Sequence, residues 1–273
     1  WERAASDANP ADQVRALLRS QFHVELGTIA WAKMYETLWQ CDMMPGNSPA
    51  VPRRERGKPG VVSVHLCEAP GAFIAATNHF VKTHRQNWRW DWMAVSLNPY
   101  CEANDKFAMI EDDALIAATM PNWCFGADNT GDIRRISNIQ AIWDRGKELC
   151  TRMGCPGGVL MVTADGAVDT SMDPNRQEMI TASLHYCEVV AALGLLAVGG
   201  NFVWKGFTLY EHPSICSLFL MGCLFDKVLV YKPATSKPAN SEVYVVGKGF
   251  RGVPTEVLEL LLGNCGEDIF TGR

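Results

Sequence analysis

The stretch that most constrains this chain is Val61-Val62-Ser63-Val64-His65-Leu66-Cys67-Glu68-Ala69-Pro70-Gly71-Ala72-Phe73. Its first half is apolar and β-branched, the composition of a strand buried on both faces of a parallel sheet. Pro70-Gly71 breaks that strand, and Ala72-Phe73-Ile74-Ala75-Ala76 is a good helix start. Strand, glycine turn and helix make the first half of a βαβ unit, in which ligands sit at the carboxyl ends of the strands, over the helix amino terminus. Gly71 lets the backbone approach a ligand with no Cβ in the way, and Glu68 brings a carboxylate to the strand end. The string also reads as a plain structural corner, since strand–turn–helix units recur in unrelated folds.

At 273 residues, one large α/β domain is the economical reading. An apolar fraction of 48% with 20% charged residues is ordinary for a globular protein. The longest apolar stretch, Val189 to Val198, contains Gly194 and is too short for a bilayer, so no membrane partner is expected. A start at Trp1 leads us to expect a longer protein with a flanking non-catalytic domain. The ten cysteines are scattered with no Cys-x-x-Cys pair, so neither zinc nor any other metal is expected. Reduced thiols point to the nucleus and cytoplasm. The net charge of −5 argues against a nucleic-acid partner, but a local basic stripe suffices to grip a few nucleotides. Arg53 and Arg54, in the loop Pro52–Lys58, offer one.

Along the chain, helical patterning covers residues 1–20 and about Leu26 to Gln40, the latter carrying Lys33 among apolar neighbours. A Pro/Gly-rich loop follows to Gly60, then the central strand and a helix to about His84. Further strands are expected at Met93–Leu97, briefly near Asn122, and at Val159–Ala164, Asn201–Gly206, Lys227–Tyr231 and Ser241–Val246. Helices are expected at about Ser137–Met153, Asn175–Leu195 and Pro213–Cys223, and after Arg251. The expected division is an N-terminal helical segment with its basic loop at 1–60, a core at 61–250 and a C-terminal helix and tail at 251–273. Lys33, Asp165, Lys205 and Glu242 stand at or near ends of buried elements. Each has a bland reading: a solvated helix lysine, a turn aspartate, or a charge capping a strand.

The string Cys67-Glu68-Ala69-Pro70-Gly71-Ala72-Phe73 resembles the cofactor loop of the FtsJ-like ribose 2′-O-methyltransferases. The order Lys33, Asp165, Lys205, Glu242 is that family's tetrad. Trp31-Ala32-Lys33, Asn129-Thr130-Gly131-Asp132-Ile133, Thr163-Ala164-Asp165-Gly166, Lys232-Pro233-Ala234-Thr235-Ser236-Lys237 and Asn240-Ser241-Glu242-Val243-Tyr244 look like those of its mRNA cap enzymes. The resemblance implies a Rossmann-like fold: a mostly parallel seven-stranded sheet with helices on both faces, plus N-terminal helices. It implies S-adenosyl-L-methionine as cofactor, held by Glu68, Pro70, Gly71, Ala72, Phe73, Trp90, Asn98, Asp132, Ile133 and Asp165. It implies a capped RNA partner (7-methylguanosine-capped mRNA or a small nuclear RNA 5′ end), methylated on the ribose of the second transcribed nucleotide. Substrate contacts are assigned to Arg53, Arg54, Ser236, Lys237, Asn240 and Ser241. The chain departs from the family by lacking Gly-x-Gly at the loop and by ending its second strand in Asn98 where an acid is usual.

The chemistry explains the residue types. A ribose 2′-hydroxyl is a weak acid and a poor nucleophile, so attack on a sulfonium methyl needs a base in place and an in-line geometry. Lysine serves as that base if burial and a second ammonium lower its pKa. Lys205 is therefore expected to be the base, with Lys33 depressing its pKa, Asp165 orienting it and Glu242 holding Lys33. The alternatives are a methyltransferase acting on the first cap nucleotide or another RNA ribose, and a catalytically dead RNA-binding module. A dinucleotide oxidoreductase is disfavoured, because no Gly-x-Gly-x-x-Gly follows a strand.

Overall fold

The computed structural model describes residues 11–52, 57–168, 170, 173, 176–238, 240–266 and 270. Six strands form one sheet: β1 (Gly60–Leu66), β2 (Arg89–Val95), β3 (Val159–Ala164), β4 (Leu196–Gly206), β5 (Phe225–Tyr231) and β6 (Val243–Phe250). Their spatial order is β2-β1-β3-β4-β6-β5. The first four are mutually parallel, whereas β6 runs antiparallel to both β4 and β5. The amino end of β6 therefore lies beside the carboxyl ends of β1, β3 and β4.

The expected seventh strand is reduced to one parallel bridge, Ala94 to Trp123, outside β2. Pro121 lies in a 3-10 turn, Met120–Asn122, just before it, and Gly126 at φ 78° turns the chain away just after. Too few residues remain in extended conformation for a ladder. The second strand starts at Arg89, not Met93, so Trp90 and Trp92 lie within it.

Helices α1 (Ala11–Ser20), α2 (Ile29–Gln40) and α3 (Ala72–His84) share one side of the sheet. There Trp31, Met34, Leu38, Phe73 and Phe80 pack with Val61, Val203 and Tyr244. The segment carrying Lys33 is thus part of the same core as the strands. A short helix, α4 (Ala114–Ala118), covers the loop after β1. On the opposite face lie α5 (Ile136–Met153), α6 (Gln177–Leu195), α7 (His212–Leu224) and α8 (Thr255–Gly263), with Val62, Val64, Leu66 and Val162 turned toward them. The alternation of Val61, Ser63 and His65 with Val62, Val64 and Leu66 is the period of two that sorts a strand's side chains onto two faces. No helix of the described residues is long and apolar enough to cross a membrane.

Candidate active site

All four tetrad residues meet at the shared edge. Lys205 is the penultimate residue of β4, and its Nζ lies 3.2 Å from Asp165 Oδ1. The same ammonium donates to the Asp165 main-chain carbonyl at 2.7 Å. Asp165 follows β3 directly, and its N–H donates to Leu66 O of β1 at 3.3 Å. From α2, Lys33 reaches Glu242, just ahead of β6, at 2.5 Å. Tyr244, opposite Lys205 in the β4–β6 register, donates its hydroxyl to Asp165 Oδ1 at 3.2 Å.

The electrostatics correct one expectation. Burial alone disfavours the Lys205 ammonium, but the carboxylates of Asp165, Glu242 and Glu188 outweigh it and hold the lysine above its ordinary pKa. The depressed pKa expected from a neighbouring ammonium is not found, because Lys33 is engaged by Glu242 and carboxylates dominate the field at Lys205. Asp165 is itself raised, by burial first and by Glu242 after it, against the pull of Lys205 and Lys33.

Three further polar side chains, all on α6 and none singled out from sequence, brace this edge. Glu188 Oε1 accepts the Gly166 N–H at 2.9 Å. A Cβ at Gly166 would stand 2.3 Å from that oxygen, so a side chain here would displace the Glu188 carboxylate. His185 Nε2 faces Gly166 O at 3.4 Å, on the following peptide unit. Burial raises Glu188 to about 8, against the hydrogen-bonded Cys67 thiol and the Lys205 charge. Burial lowers His185 to about 4. Glu178 grips the loop after β4 and is described below. A fourth brace is Glu36, one helical turn beyond Lys33. It accepts from Tyr231 Oη at 2.5 Å, Ala234 N at 2.8 Å and Thr235 N at 3.3 Å, and so ties the loop leading to Glu242 onto α2. The sequence held two signals for these residues: polar positions at helical spacing within apolar α6, and Tyr244 two places after Glu242 on one strand face.

The cofactor-loop candidates divide. Gly71 adopts φ +113°, and a Cβ there would come within 2.1 Å of Leu115 Cδ2 on α4, so glycine is required on both counts. Glu68 is buried, and its Oε1 accepts from Phe73 N at 2.8 Å and Ile74 N at 3.4 Å, so it caps α3. Pro70 follows a cis bond in the same loop. Ala72 and Phe73 are buried, and the Phe73 ring packs against Tyr244 beneath the site. These two therefore shape the loop rather than present side chains to a ligand.

Asn98 and Asp132 are committed elsewhere. Asn98 Nδ2 donates to Asn129 O at 2.8 Å and its Oδ1 accepts from Tyr100 N at 3.0 Å. The carboxylate of Asp132 is taken by Arg134, through Nε at 3.0 Å and a terminal nitrogen at 2.8 Å. Ile133 is a core residue. Trp90 does not reach the site: it pairs with Val61 at the amino end of the sheet and donates Nε1 to Ser63 Oγ at 3.0 Å.

Among the substrate candidates, Ser236 is buried and donates to Glu242 Oε1 at 3.3 Å, so it supports the tetrad. Asn240 accepts Lys232 Nζ through its carbonyl and its side chain, both at 2.8 Å. Lys237 and Ser241 are exposed. Arg53 and Arg54 lie outside the described residues.

A methyl-donor cofactor fits this edge by the chemistry of its donors. Asp165, Glu242, Lys33 and Lys205 keep side-chain exposures of 21%, 15%, 13% and 9%, so a ligand can reach both carboxylates and both ammoniums. The loop of Gly71 adjoins them at the end of β1.

Known proteins are similar to this chain along most of its length. Mouse cap-specific mRNA (nucleoside-2′-O-)-methyltransferase 2 is 44% identical over 252 residues, 92% of this chain and 31% of the relative. Its Drosophila melanogaster counterpart is 39% identical over 248 residues, 90% of this chain and 33% of the relative. A probable methyltransferase of African swine fever virus is 28% identical over 243 residues, 86% of this chain and 52% of the relative. The chain thus spans about a third of the animal relatives' length. Residues 30–250, from just before Lys33 to the end of β6, match the FtsJ-like methyltransferase family, and the chain belongs to it.

Proposed function

We propose that this chain is the catalytic part of an mRNA cap methyltransferase that moves a methyl group from S-adenosyl-L-methionine to the ribose 2′-hydroxyl of the second transcribed nucleotide. The observation that carries the reading is the pair of contacts Lys205–Asp165 and Lys33–Glu242 at one sheet edge, within reach of solvent. The identity to animal cap enzymes supports the substrate class.

Lys205 is the general base in this reading. It takes the 2′-hydroxyl proton as the oxygen attacks, and Asp165 aims it through two contacts. Lys33, steered by Glu242, donates to the same oxygen and keeps it in line. S-adenosylmethionine supplies the methyl group and carries a sulfonium charge. In the free enzyme Lys205 is an ammonium, so its proton must leave before it can act. Asp165 and Glu242 would face the cofactor's positive charge when it is bound, and a second cation near them would lower the Lys205 pKa toward the working range.

The test is transfer of radiolabelled methyl to capped RNAs that differ only in prior methylation of the first two riboses. The reading requires label on the second ribose by mass spectrometry of the digest. Label on the first ribose alone would reject the position but keep the chemistry, and no transfer to any RNA would reject both.

A further inference from the structure

The loop between β4 and α7 leaves the sheet immediately after Lys205 and is built with unusual care. Phe207 is buried, its ring stacked on His185 with centroids 5.8 Å apart. Leu209 packs against the main core. Thr208 and Leu209 both hold positive φ, 32° and 62°, a region that side-chain-bearing residues avoid and keep only when their surroundings fix it.

What fixes it is Glu178, a buried carboxylate in the first turn of α6. It accepts the Thr208 hydroxyl, Tyr210 N at 3.1 Å and Glu211 N at 2.8 Å. Burial alone would raise its pKa, but the bonds from Ser214, Thr208, Glu211 and Tyr210 hold it below the usual value, so it stays a carboxylate at neutral pH. The neighbours of Tyr210 are thus anchored, and so is its own backbone. Its side chain is not: it is 81% exposed. An exposed ring on a fixed backbone is a preorganised contact surface, with little ordering entropy left to lose on binding. Five residues of chain reach at most about 18 Å, and the tight turn from Leu209 N to Phe207 O shortens that span, so the backbone of Tyr210 lies within that distance of Lys205 on the loop that leaves the tetrad's end of β4.

We propose that Tyr210 is a stacking platform for a nucleobase of the RNA strand next to the ribose being methylated, with Glu178 holding the platform in place. The proposal rests on the RNA-methyltransferase reading above and adds a substrate subsite to it. A nucleobase is the occupant that suits an exposed ring here, because the strand that delivers a ribose to Lys205 also brings flanking bases, each with a π-face.

The experiment is steady-state methyl transfer to capped RNA by the wild type and by Tyr210→Ala, Tyr210→Phe and Glu178→Gln. Loss of one base–aromatic stack predicts a rise of about tenfold to a hundredfold in KM for RNA with Tyr210→Ala, with the KM for S-adenosylmethionine unchanged. Tyr210→Phe restores affinity to within about twofold, since the ring and not the hydroxyl does the work. Glu178→Gln moves the RNA KM the same way as Tyr210→Ala. A set of RNAs carrying one abasic nucleotide at successive positions then locates the partner base: at one position the abasic lesion weakens the wild type but costs Tyr210→Ala nothing more. Unchanged RNA KM in Tyr210→Ala, or strictly additive losses at every position, overturns the platform while the wild type's transfer upholds the enzyme reading. Absence of transfer by the wild type overturns that reading and the platform with it.

Discussion

At the scale of single residues the exposed question is the protonation of Lys205. Three carboxylates hold it charged in the free enzyme, whereas a general base must be neutral. Lys205→Arg is therefore expected to bind cofactor and RNA yet transfer methyl at least about 10²-fold more slowly, because guanidinium does not give up its proton. If Lys205 only anchored Asp165, arginine would serve, and an active Lys205→Arg enzyme would discard the base. The pH profiles separate the two states. kcat/KM for the cofactor reports the free enzyme and should climb across the neutral range without reaching a plateau. kcat reports the loaded complex and should level off at lower pH. Lys33→Ala should push the kcat limb upward, since it leaves Glu242 uncompensated beside Lys205. The tetrad was legible in sequence because charged residues at the ends of buried strands need a reason to be there. The sign of the pKa shift was not, because it depends on how closely the fold gathers the carboxylates of Asp165, Glu242 and Glu188 around the ammonium.

At the scale of elements, two helices carry the site's rigidity. Helix α2 presents Lys33 and Glu36 one turn apart, one to the tetrad and one to the loop behind it. Glu36→Ala strips the partners of Tyr231 Oη and two backbone N–H groups, so a loss of about 1–3 kcal/mol is expected in denaturant unfolding. A fall in kcat should accompany it as Glu242 loses its seat, while cofactor affinity by calorimetry stays put. Helix α6 braces the strand-end loops with Glu188, His185 and Glu178. Glu188→Gln still accepts from Gly166 but no longer titrates. Its pKa in the fold, about 8, lies above the unfolded value of 4.5, so its contribution is present in full below about pH 4.5 and is lost as pH rises through 8. The wild type should lose stability across that window and Glu188→Gln should lose less. Equal slopes in the two proteins' denaturation midpoints against pH would refute the account. Helix spans were readable from apolar periodicity. Strand bounds were less readable: β2 begins four residues before the apolar run that marked it, so Trp90, which the resemblance implied as a cofactor contact, stands at the amino end of the sheet.

At the scale of the whole molecule, the parallel half of the sheet was legible because its strands are near-continuous apolar runs ending in turn residues. The seventh strand was not, because a single bridge and a ladder begin with the same few residues. The interior also hides a polar line that hydrophobic patterning cannot reveal. Trp90 donates to Ser63, Ser63 faces His65 Nε2 at 2.9 Å, and His65 Nδ1 faces Thr163 at 3.0 Å across β1 and β3. Burial lowers His65 to about 3, and His185 on the opposite face is lowered to about 4, so both are neutral in the fold at working pH. The unfolded chain takes up those two protons near 6.5, and the folded chain resists until pH 3 to 4. Stability contributed this way is fully present above about pH 6.5 and is lost as pH falls toward 4. Between about pH 6.5 and 4 the two histidines therefore cost stability as acid is added, opposing Glu188, whose protonated form the fold favours over part of the same range. His65→Asn, which keeps hydrogen-bonding groups but does not titrate, should flatten the acid limb even where it lowers stability at pH 7. Guanidinium midpoints taken from pH 7 to pH 4 measure that slope directly, and an unchanged acid limb in His65→Asn would show that the central histidine is not what makes the fold acid-labile.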